Sequence, residues 1–146
     1  LGFLHRRRAV EVEIRAAEDP RDALRRIVDQ AVLLQGLAED LLEGIRRRRS
    51  LAELARPGGA LISRFCDLRA AVPQPADPQL RATARIVCET LDHHALMLSY
   101  SLALLGDLRP ERVQQQLDTL DGLGPPAERL RAIQHELTRQ AGYAAP

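Results

Sequence analysis

The chain has 146 residues, with 21 basic and 20 acidic side chains and a formal charge of +1, which supplies no broad field for nucleic acid or anionic lipid. Apolar residues make up 45% and charged residues 28%, a balance that excludes wholesale disorder and suits one domain with a core of its own. Aromatic residues are only 3%, with no Trp, and there are two cysteines, so neither a base-stacking platform nor a secreted disulfide scaffold is expected.

Every basic residue is Arg, and Lys and Asn are missing altogether. This skew points to translation of a GC-rich bacterial genome, and it removes Schiff-base and phosphate-loop lysine chemistry. The chain starts at Leu1 and its single methionine is Met97, which reads as a fragment or a processed product. No run of about 18 apolar residues occurs, so no membrane span is expected within this segment. Residues 1–8, with Arg6, Arg7 and Arg8, have the composition of a membrane-helix tail with its positive cluster, or of a frayed first helix.

Residues 3–17 predict a helix, because Arg7–Glu11 and Glu11–Arg15 stand four apart, although Val10, Val12 and Ile14 alternate like a strand. Asp19-Pro20 is an N-cap followed by a first-position proline. The seam behind it, Leu24, Ile27, Val28, Ala31, Leu34, Ala38, Leu41, Leu42 and Ile45, keeps helical spacing. That predicts one long helix over about 20–49, with a bend at Gly36, closed by Arg46–Arg49. Ser50-Leu51-Ala52-Glu53 is a capping box opening a short helix to about Ala55, which Arg56-Pro57-Gly58-Gly59 should stop. A further helix is expected from Ala60 to Val72, with Leu61, Phe65 and Leu68 on one face. Residues 73–77 then read as an extended linker and possible subdomain hinge.

Asp77-Pro78 repeats the start signal and opens a second long helix, to about Leu105. Between Ala95 and Leu105 this helix is apolar nearly all round, which places it at the centre of a bundle or in an interface. Pro110 opens the next helix, with Val113, Leu117 and Leu120 inward, and Gly122–Pro126 closes it. A last helix spans about 126–141, with Leu130, Ile133 and Leu137 inward. The expected architecture is a single all-α bundle of six or seven helices.

Few residues carry chemistry. Glu89 and His93 share a helix face, but one Glu/His pair cannot close a metal shell, so neither metal nor cofactor is expected. Cys66 and Cys88 lack paired spacing, and Cys88 reads as a small buried hydrophobe. Ser99 and Ser101 sit mid-helix without a nucleophile turn and should bond back to helix carbonyls. Of Arg46–Arg49 only the outer two share a face, which argues against a polyanion site.

These readings lead to a non-enzymatic, cytoplasmic interaction or regulatory domain that offers apolar helix faces to a protein partner or to itself. A helix from 20 to 49 would be about 45 Å long, against a domain diameter of about 38 Å. A homodimer covering the overhang is therefore expected, with Leu34, Leu41, Leu42 and Ile45 at its interface. The alternative is the small-molecule-sensing effector domain of a bacterial regulator, with a pocket near residues 92–100 lined by His93, His94 and Tyr100.

Overall fold

The computed structural model of the chain describes residues 18–120 and 122–143. The helix expected at 3–17 and the basic run Arg6–Arg8 lie outside them. The described residues form five α-helices and no strand: α1 (Pro20–Arg46), α2 (Leu51–Ala71), α3 (Pro78–Leu104), α4 (Pro110–Asp118) and α5 (Pro125–Tyr143).

Helix starts follow their caps. Asp19 accepts from Arg21 N at 2.8 Å, Ser50 from Glu53 N at 3.3 Å and Asp77 from Leu80 N at 2.9 Å. Each satisfies one amide that the first turn leaves without a carbonyl. The α1 helix runs through Gly36 without a break and ends at Arg46 rather than Arg49. Its end is a paired reverse bond, Arg48 N to the Ile45 carbonyl at 2.9 Å and Arg49 N to the Gly44 carbonyl at 3.0 Å. That geometry puts Arg48 in the left-handed region, φ +55°.

Two predicted helices, 51–55 and 60–72, are one. Pro57 lies inside α2, where its missing N–H frees the Glu53 carbonyl. Both residues are exposed, so no orphaned group is carried into the core. The inward face of α2, namely Leu54, Gly58, Leu61 and Phe65, keeps helical spacing straight through the proline. Packing of that face against α3 outweighs the local stop signal. The count of six or seven helices is therefore not met among the described residues.

The α1 helix packs against all four others, and its seam is covered by the chain from end to end: Leu24 and Ile45 are both 0% exposed. No overhang exists. The α5 helix lies antiparallel along α1 and is held there by four polar contacts. Arg21 donates to Gln140, Gln134 to Asp29 at 2.9 Å, Gln35 to the Ala127 carbonyl at 3.3 Å, and Leu123 N to Glu39 at 3.1 Å. The loop before α5 turns on Gly122 and Gly124, both near φ +66°, which plants the buried Leu123 between them.

The α3 helix packs on α2, α1 and α5. Its apolar second half is not enclosed: Leu98 is fully buried, but Leu96 and Tyr100 are 52% and 67% exposed. The centre of the fold is shared with α1.

Candidate functional site

The α3 surface that faces solvent carries His93, Leu96, Met97, Tyr100 and Leu104 on successive turns. Together with Gln116, Thr119 and Leu120 from the α4 side they line an open cleft of about 380 Å³. Spacings of three and four put these α3 residues on one face. The cleft exists because α4, nine residues long, rests mainly on α1. Val113 and Leu117 anchor α4 in the core.

Two of the three expected pocket residues, His93 and Tyr100, reach this cleft. The third, His94, does not: it is 0% exposed and points into the bundle. Its Nδ1 lies 2.7 Å from the Thr90 carbonyl and its Nε2 lies 3.2 Å from Gln35 Nε2. Phe65 packs on the ring, centroids 5.3 Å apart. Burial lowers its pKa, the Thr90 carbonyl opposes that, and His93 and Arg131 lower it further. The expectation placed both adjacent histidines at the pocket, but consecutive helical residues point about 100° apart, so only one of the two faces the cleft while the other faces the core.

Leu34, Leu41, Leu42 and Ile45, the expected interface, are 3%, 6%, 1% and 0% exposed. They are covered by α2, α3 and α5 of the same chain, and of the four only Leu41 reaches an open groove. The apolar residues that α1 does expose are Leu33 and Leu37, at 76% and 53%. Leu37 borders a second, more apolar groove of about 410 Å³ between α1 and α2, floored by Leu41, Leu54 and Leu61.

The four arginines at the end of α1, Arg46–Arg49, are engaged rather than free. Arg46 donates to Glu43 at 3.2 Å and to the Leu120 carbonyl, Arg47 to Glu43 at 2.8 Å, Arg48 to Gln114, and Arg49 to Glu53 at 3.1 Å. Two of them tie α4 and its exit to the end of α1. A polyanion would have to displace these partners.

Nucleophile chemistry finds little support in the geometry. Ser99 and Ser101 donate to the carbonyls of Ala95 and Met97 at 2.9 and 2.8 Å. Cys66 is exposed and Cys88 half-buried, neither in a disulfide. Burial pushes the Cys88 thiol up, against the nearby Arg69, which leaves less thiolate. Glu89 reaches Arg85 at 3.9 Å. Among the described residues no three His, Cys, Asp or Glu side chains gather where they could share a metal ion.

Sequence reasoning missed Gln35. The signal was there: Ala31, Gln35, Ala38 and Leu42 keep core spacing on α1, and one of them is an amide. It is 1% exposed. No helix among the described residues is long and apolar enough to cross a membrane. No protein-family model, no curated protein and no solved structure matches the chain.

Proposed function

We propose that this chain is a non-enzymatic α-helical interaction domain that offers apolar helix faces to a protein partner or to a second copy of itself. The observation that carries the reading is the exposed face of α3, where Leu96 and Tyr100 stand on consecutive turns beside Met97 and Leu104 over an open cleft. Exposed large apolar side chains grouped in this way characterise binding surfaces, whereas singly scattered ones do not. Leu33 and Leu37 on α1 form a second, smaller group.

Light scattering after size exclusion across a hundredfold concentration range tests self-association. The expected result is a mass above one chain at the upper end, returned to one chain by Leu96→Glu without loss of helicity. A constant single-chain mass removes the homodimer and leaves only a different partner.

The small-molecule reading is favoured by one observation: His93 and Tyr100 both line the α3 cleft, with Ser101, Gln116 and Thr119 as further polar groups. A ligand there would shift the His93 ring resonances, and Tyr100→Ala would weaken its binding.

A further inference from the structure

The buried polar contact among His94, Gln35 and the start of α5 has one consistent arrangement of protons. The Thr90 carbonyl can only accept, so His94 Nδ1, 2.7 Å away, carries a hydrogen. The Ala127 carbonyl can only accept as well, so the Gln35 atom 3.3 Å from it is the amide nitrogen. That nitrogen also lies 3.2 Å from His94 Nε2, which must therefore accept and be bare. Gln35 Oε1 is buried without a partner. Turning the amide over would set an oxygen against the Ala127 carbonyl and strand two N–H donors where Oε1 now sits, with no acceptor.

We propose that His94, Gln35 and the Ala127 carbonyl form an acid-released clasp: proton uptake at His94 Nε2 drives Gln35 off and frees the start of α5 from α1 and α3. A second proton would point an N–H at the Gln35 N–H₂, donor against donor; turning the amide over relieves that contact only by setting its oxygen against the Ala127 carbonyl and losing the Ala127 bond. The groups bearing on the ring are Glu39 from α1, His93 from α3 and Arg131 from α5, while α2 contributes Phe65. Glu39 favours the added proton; His93 and Arg131 oppose it. Glu39 also accepts from Leu123 N, one turn along α1 from Gln35, so both residues hold the chain where it enters α5.

The ring is neutral in the folded chain and its pKa is depressed below 6.5. The stability it confers is therefore complete above that value and is lost as pH falls below it. Native-state hydrogen exchange on the intact chain, corrected for intrinsic rates, reads the release directly. Between pH 8 and 5.5 the opening constant of the amides at 129–133 should rise, by at most about tenfold, with the α2 amides at 61–65 rising less. An equal rise throughout would mean that His94 only weakens the whole fold and would overturn the clasp, as would no rise at all. Gln35→Leu should open the same α5 amides already at pH 8. If that variant does not fold, the imidazole nitrogen spectrum of the unmodified chain decides: hydrogen on Nδ1 at pH 8 supports the clasp, and hydrogen on Nε2 sinks it.

Discussion

Gly58 of α2 lies directly against Leu102 of α3: a Cβ built on the glycine would stand 2.5 Å from Leu102 Cδ1. The two helices come this close because one has no side chain at the crossing. Gly58→Ala gains up to about 1 kcal/mol of helix propensity but must displace a half-buried leucine, at about 1–3 kcal/mol. We expect a net loss of about 1 kcal/mol in urea unfolding. The next residue makes the control. Nothing lies within 4 Å of a Cβ at Gly59, so Gly59→Ala should stabilise by about 0.5–1 kcal/mol. Adjacent glycines with opposite signs would establish the contact; equal signs would refute it.

This contact also explains where the sequence misleads. Arg56-Pro57-Gly58-Gly59 carries the local marks of a helix stop, yet Leu54, Gly58, Leu61 and Phe65 are one buried stripe. A single-chain reading sees the proline but not the helix lying across it. The caps at Asp19, Ser50 and Asp77 were legible because a cap is local chemistry. The α1 seam was legible too, but not what covers it, since the partner helix α5 begins some 80 residues later. Half of the cleft could be anticipated from the run between Asp92 and Tyr100. Which of His93 and His94 faces out was not, because both flank the apolar stripe.

Leu41 and Leu33 separate folding from association. Leu41 is 6% exposed and Leu33 is 76% exposed. Leu41→Glu places a charge against the buried Leu54 and Leu61 on the floor of the α1–α2 groove, so it should unfold the chain rather than divide an oligomer. Circular dichroism at 25 °C should show that loss. Leu33→Glu should leave helicity intact and change stability by no more than about 0.5 kcal/mol. A folded Leu41→Glu variant would mean that the end of α1 is more open than its burial indicates.

Glu136 near the end of α5 accepts from Arg139 at 2.6 and 3.0 Å and from Gln140 at 3.0 Å. The guanidinium, and then the Gln140 amide, hold its carboxyl down to about 2. A depressed carboxylate contributes fully above its unfolded value, here 4.5, and loses that contribution as pH falls toward about 2. The side chain is exposed to water, so the titration is the readout rather than stability. Carboxyl carbon NMR should place its midpoint at about 2, and Arg139→Ala should return it toward 4.5. An unchanged midpoint in that variant would assign the shift to another cause.

Arg48 occupies the position after α1 that glycine favours, at φ +55°, and its guanidinium reaches Gln114 of α4. The backbone term and the side-chain term therefore oppose each other. An L-residue in the left-handed region costs about 1–2 kcal/mol. An exposed polar contact between long side chains contributes less, about 0.5 kcal/mol by comparison with exposed ion pairs. Glycine relieves the first term, forfeits the second, and gives back part of its gain as extra freedom of the unfolded chain. We expect Arg48→Gly to stabilise by about 0.5 kcal/mol, a rise in Tm of about 2 °C for a chain of this size. Arg48→Ala keeps the strained backbone and removes the reach to Gln114, so it should fall below the parent by a similar amount. Thermal unfolding of the three proteins side by side settles the order. If glycine and alanine both destabilise, the arginine is retained for its hold on α4, and the cleft between α3 and α4 depends on that contact for its shape.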